Sequence, residues 1–143
     1  MTHDKLTKIA SKWLKRHSQN IIVPNCPTVI SEMVAATPNG EIPDVIGWCS
    51  WASVLIEVKV SRGDYFRDFD KPFRAYNNLG MGELKYYLCP KDMIAIDEVP
   101  DSWGLLYCND KGKIAIVKEA VRHDANLRSE RTLLLSIIRR SKL

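Results

Sequence analysis

Between positions 4 and 17, apolar residues recur every three or four places, at Leu6, Ile9, Ala10, Trp13 and Leu14. This spacing gives an α-helix one face for a core. The opposite face is basic, with Lys5, Lys8, Lys12, Lys15 and Arg16. β-prone runs at 29–36 and 42–48 then flank Pro38-Asn39-Gly40, and an Asn-Gly pair between apolar runs predicts a hairpin of two antiparallel strands. Past Cys49-Ser50, the stretch 52–60 is apolar and β-branched apart from Ser53, Glu57 and Lys59, which predicts a strand in the middle of a sheet.

Ser61 is placed to cap a short helix over 62–71, in which Asp64 with Asp68 and Arg67 with Lys71 stand four apart. Pro72 either ends that helix or begins another turn. A strand over 84–89 follows Gly80-Met81-Gly82, and a hairpin joins 103–108 to 113–118 around Asn109-Asp110-Lys111-Gly112. Residues 127–140 read as a closing basic helix. The order αβββαβββα, without repeat or low-complexity linker, predicts an α/β (α+β) fold with one mixed sheet flanked by helices, in a single domain over 1–143.

Composition narrows the class without naming a chemistry. Hydrophobic residues at 45% and charged residues at 27% place the chain among folded globular proteins, and 143 residues suffice for one core. Cys26, Cys49, Cys89 and Cys108 are too widely spaced for a zinc ribbon or a C-x-x-C pair, so they are expected as reduced, mostly buried thiols. The lysine-rich first twenty residues hold no continuous apolar run, which predicts neither a signal peptide nor a membrane span and a cytoplasmic location. The final Ser141-Lys142-Leu143 spells a peroxisomal address, expected here as a coincidence at the end of a basic helix. The net charge of +4 is compatible with a polyanionic partner and does not require one.

Chemistry concentrates at Pro43-Asp44 and, thirteen residues after the aspartate, Glu57-Val58-Lys59. Side chains two apart on a strand share a face with Cα atoms about 7 Å apart, so Glu57 and Lys59 can converge on one ligand while Val54, Ile56, Val58 and Val60 face the other way. A two- or four-residue hairpin loop is expected to set Asp44 opposite Leu55, and a slightly longer one to move it towards Glu57. Two carboxylates at one spot need a proton or a hard cation between them. Phosphodiester hydrolysis demands roughly 20 kcal/mol of barrier lowering, whereas acid or base catalysis supplies about 3 to 5 kcal/mol. The magnitude therefore favours a metal, Mg²⁺ or Mn²⁺, on Asp44, Glu57 and the Val58 carbonyl, with Lys59 orienting water or offsetting charge.

Pro43-Asp44 followed by Glu57-x-Lys59 resembles the PD-(D/E)XK nuclease superfamily. The continuation Glu57-Val-Lys-Val-Ser-Arg-Gly-Asp-Tyr-Phe, with Asp70-Lys71-Pro72-Phe73-Arg74, Gly80-Met81-Gly82 and Tyr86-Tyr87-Leu88-Cys89-Pro90, is similar to its small bacterial and phage-borne members. The resemblance implies a restriction-endonuclease-like sheet, Asp44 and Glu57 as metal ligands, Lys59 as a catalytic group, DNA in preference to RNA as the partner, and homodimers in some relatives. Many members add a glutamate from the first helix. This helix offers only Asp4, and Glu32, on the expected first strand, faces away from Asp44 in the simplest Asn39-Gly40 register.

Two readings stay open for several other residues. Arg62, Arg67, Lys71 and Arg74 either grip the phosphate backbone or form a solvated helix face with Asp64 and Asp68. Tyr76, Tyr86 and Tyr87 either stack on bases or pack, with packing expected, as it is for the four tryptophans. His3, His17 and His123 show no partner spacing and are expected on the surface. No P-loop pattern follows Gly80-Met81-Gly82. The competing functional class is a nucleic-acid-binding module that keeps the fold without turnover.

Overall fold

The computed structural model describes residues 1–17, 23–32 and 37–141. Helix α1 (His3–Lys15) begins where the Thr2 hydroxyl accepts a hydrogen bond from the Lys5 N–H, and its stripe Leu6, Ala10 and Leu14 is fully buried. Six strands follow: β1 (Thr28–Ser31), β2 (Val45–Trp48), β3 (Ser53–Val58), β4 (Leu84–Pro90), β5 (Gly104–Cys108) and β6 (Ile114–Lys118). They lie side by side in chain order. β1, β2 and β3 pair antiparallel, β3, β4 and β5 parallel, and β6 antiparallel on β5. With α2 (Arg62–Asp68) after β3 and α3 (Leu127–Arg140) at the end, the order is the expected α-βββ-α-βββ-α. Pro72 begins a 3₁₀ turn, Pro72–Arg74.

The sheet is the middle of three layers. On one face α1 meets Val45, Val54, Ile56, Tyr86, Leu88 and Leu106. There Gly47 is required: a Cβ would stand 2.8 Å from the Cβ of Cys26 and from Leu14, closer than packed atoms tolerate. On the other face Tyr65 of α2 and Leu133 of α3 cover Ile46, Leu55, Tyr87 and Leu105. Glu130 of α3, 3% exposed, accepts from Trp48 Nε1 (3.0 Å), Ser53 Oγ (3.0 Å) and the Gly82 N–H (2.9 Å). One carboxylate thus ties the last helix to β2, β3 and the entry to β4.

The first hairpin departs from expectation. Strand β1 ends at Ser31 and pairs Ser31 with Val45, so residues 32–44 form the connection; of the expected 29–36 run, 33–36 lie outside the described residues. The Asn39-Gly40 turn exists, with Gly40 at φ +74° and its N–H on the Thr37 carbonyl. It lies within the thirteen-residue connection of β1 to β2 and does not close a tight hairpin. Instead Asn39 takes the Leu79 carbonyl (2.9 Å) and the Ser129 hydroxyl (3.3 Å) as partners, docking the turn against α3. Cys26, Cys89 and Cys108 are buried free thiols and Cys49 is half-buried. Among the described residues no helix is long and apolar enough to cross a membrane.

Candidate functional site

Trp48 pairs with Ser53 and Val45 with Ile56, so continuing the register by one residue sets Asp44 opposite Glu57. The β2–β3 loop, residues 49–52, therefore produces the facing carboxylates, so that of the two expected registers the one nearer Glu57 is found and not the one on Leu55. Asp44 Oδ2 accepts from the Val58 N–H at 2.8 Å, which fixes the carboxylate beside the end of β3. Continued once more, the register sets Pro43 opposite Val58. Proline has no N–H, so β2 supplies no ladder donor to the Val58 carbonyl at this point.

Glu57 is 3% exposed. Burial pushes its carboxyl up to about 8; Arg74 opposes the shift and the neighbouring Asp44 adds to it. Two carboxylates held together beside the Val58 carbonyl form an oxygen set that suits a hard divalent cation. Lys59 is also buried, and its Nζ lies 3.1 Å from Asp68 Oδ1. Its backbone N–H still reaches Leu88 O at 2.9 Å, so the β3–β4 pairing extends one residue past the strand and aims Lys59 to the same side as Glu57.

Asp68, fully buried at the end of α2, also accepts from Tyr87 (2.6 Å), Arg74 Nε (2.8 Å) and Lys71 (2.9 Å). Burial alone would raise its carboxyl, yet Arg74, the Tyr87 hydroxyl and the two lysines hold it well below the usual range. Arg74 is the centre of this network, 2.8 Å from Glu57 and 3.1 Å from the buried Glu41, whose carboxyl burial raises against the pull of Arg74. Lys85 lies buried nearby, its amine lowered to about 8 mainly by burial. Glu57, Lys59 and Asp68 of this network line, with Asp44 and Val58, an open cleft of about 310 Å³.

Of the four basic residues expected on phosphate, Arg74 is corrected outright. Its side chain is 3% exposed and committed to three carboxylates, so it cannot reach a backbone in solvent. Arg62 is bound twice by Glu98, Arg67 by Asp64 and Lys71 by Asp68. Tyr86 and Tyr87 are core residues, whereas Tyr76 is 72% exposed; Trp103 is buried and Trp51 half-exposed.

His3 and Glu32 belong beside the site, against expectation. Glu32 stands just past β1 with φ +50°, its N–H on the Asp44 carbonyl. The His3 ring bridges the two acids, Nδ1 to Glu32 at 3.2 Å and Nε2 to Asp44 at 3.4 Å. The shortened β1 removes the register that had turned Glu32 away. His3, Asp4 and Glu32 also bring one potential ligand atom each within 4.8 Å of one another. The only sequence signal for His3 was its place at the start of α1. Asp68 and Glu41 gave less, because their partners lie up to 40 residues distant.

No family model matches this chain, and no curated protein matches it. Among solved structures it is similar to the SPO1766 protein of unknown function from Silicibacter pomeroyi, with a TM-score of 0.56 and 23% identity over 80% of this chain and 76% of that one. At that identity the likeness concerns the fold alone.

Proposed function

We propose that this chain is a Mg²⁺- or Mn²⁺-dependent nuclease of the PD-(D/E)XK type with a restriction-endonuclease-like core. Its substrate is DNA rather than RNA, within bacterial or phage repair, recombination or restriction. The observation that carries the reading is the opposition of Asp44 and Glu57 where the β2–β3 register continues, with Asp44 held by the Val58 N–H. Asp44, Glu57 and the Val58 carbonyl would hold the ion. When bound, such an ion polarises a phosphoryl oxygen and lowers the pKa of a coordinated water.

The chain's own residues orient that chemistry. Val58 N–H fixes Asp44, Arg74 fixes Glu57, and Asp68 fixes Lys59. A lysine ammonium has three donors; with one on Asp68, the others can meet phosphate or water in the cleft. Tight positioning of this kind lowers the barrier by removing orientational freedom before the reaction begins.

The non-catalytic binding module draws support from the same ion pairs, since Glu57 and Lys59 are both satisfied internally. The deciding experiment is cleavage of supercoiled, linear, single-stranded and branched DNA with Mg²⁺ or Mn²⁺. We expect cutting that Glu57→Gln and Lys59→Ala each reduce by at least about 10³-fold, comparable to removing one transition-state contact or more. Absence of cutting with every substrate, or variants that cut at the wild-type rate, would remove the nuclease reading.

A further inference from the structure

The cations of α2, Arg62 and Arg67, are paired with Glu98 and Asp64, but those of α1 are not. Lys5, Lys8, Lys12 and Lys15 are all exposed, and none forms an ion pair among the described residues. Their spacing of three, four and three places them along one stripe of the helix. At 1.5 Å per residue the stripe is about 15 Å long, the rise of about four phosphates on one strand of a duplex at 3.4 Å each.

A second element widens the stripe. A Cβ on Gly112 would sit 3.4 Å from Ile9 of α1, so the β5–β6 turn abuts the helix and contributes the exposed Lys111 and Lys113. Exposed Lys91 joins at the foot of that turn, its N–H on the Cys108 carbonyl at 3.0 Å. Asp4, Asp92 and Asp110 are exposed acids near these lysines in the chain and Glu119 lines a cavity with Lys91 and Lys113, so lysines outnumber acids on this face.

The rest of α1 selects among polyanions. Its apolar stripe is consumed by the core, so no face remains to enter a lipid boundary, as an interfacial helix requires. Its exposed positions include no aromatic residue, which leaves nothing on which unpaired bases could stack. The helix also starts at the cleft, where His3 touches Asp44.

We infer that the lysine face of α1, extended by the β5–β6 turn, is the surface on which a nucleic-acid duplex lies, directed towards the cleft at His3. This rests on the nuclease reading for its purpose and stands on its own charges for its binding. The test is fluorescence anisotropy of a labelled 20-base-pair DNA duplex in EDTA, across a salt series. Wild type is compared with Lys8→Gln/Lys12→Gln/Lys15→Gln and with a charge-matched control on the opposite layer, Arg128→Gln/Arg131→Gln/Arg139→Gln.

The lysine variant should bind at least about tenfold more weakly and lose about 2 to 3 from the salt slope, near 0.9 per phosphate contact; the control should stay within about twofold. Equal loss in both variants, or an unchanged slope in the lysine variant, overturns the inference. So does binding of phosphatidylserine vesicles tighter than DNA and lost through the same lysines. Cleavage by Glu57→Gln separates the two readings: if it cuts as wild type while the lysine variant loses binding, the nuclease falls and the docking face stands. If Glu57→Gln is dead and the lysine variant binds normally, the reverse holds.

Discussion

The two faces of β3 are built by opposite rules. Towards α1, Val54, Ile56 and Val58 meet an apolar layer. Towards α2, the same strand carries Glu57 and is followed by Lys59, inside a network with Glu41, Asp68 and Arg74. Apolar burial is favourable wherever it occurs. Buried charge is not, because desolvation costs several kcal/mol per ion and is offset only by good partners. On this face the charged group lies beside an apolar one, Leu55 with Ile46, Tyr87 and Leu105, so the cost of burying charge is confined to the end of the strand.

Removing the hub of the charged face should have the largest effect. Arg74→Ala leaves Glu41, Glu57 and Asp68 buried without their shared cation, and we expect about 3 to 5 kcal/mol of destabilisation in urea unfolding. A loss under about 1 kcal/mol would show that the network is solvated and the contrast between the faces overdrawn.

The second test is pH. The Glu57 carboxyl is pushed up to about 8 from an ordinary 4.5, so between those values the unfolded chain has released a proton that the folded chain keeps. Stability should then fall as pH rises through that window, by up to about 1.4 kcal/mol per pH unit, and Glu57→Gln should flatten the decline. Asp68, held below its ordinary 3.8, acts the other way: its contribution is present above that value and lost as pH drops. Urea midpoints at pH 5.5, 6.5 and 7.5 isolate the first effect, and a slope unchanged in Glu57→Gln would assign it elsewhere.

On the apolar face, Ile56→Val should cost about 0.5 to 1.5 kcal/mol and leave the pH slope untouched; a changed slope would mean that the two faces are coupled through the strand. The smallest effect is expected at the rim. Arg62→Ala removes the pair with Glu98 in solvent, and because exposed ion pairs contribute little the urea midpoint should not move beyond experimental error.

How far the sequence led follows from the range of the forces involved. Strand β3 was legible because a continuous apolar, β-branched run is a local signal, and the period of two along a strand gave the shared face of Glu57 and Lys59. The pairing register was not. Asn39-Gly40 had the composition of a hairpin turn, but the Asn39 side chain found the Leu79 carbonyl and its backbone N–H the Ser129 hydroxyl instead, and the true connection spans thirteen residues. Asp64, Arg67, Asp68 and Lys71 carried the four-residue spacing of a solvated helix face, yet only Asp64 and Arg67 behave that way. Asp68 turns inward to Tyr87 and Arg74, from β4 and a 3₁₀ turn. Helical spacing states which residues are neighbours, not which side of the helix the core will take.

Glu130 has a consequence in time. The carboxylate that ties Trp48, Ser53 and Gly82 together is made by the ribosome after β1 to β6 have all been synthesised. Strands carrying Asp44 and Glu57 emerge early but lack this clasp until the closing helix arrives. A nascent chain halted anywhere before α3 therefore holds Asp44 and Glu57 without the tie that joins β2, β3 and the entry to β4.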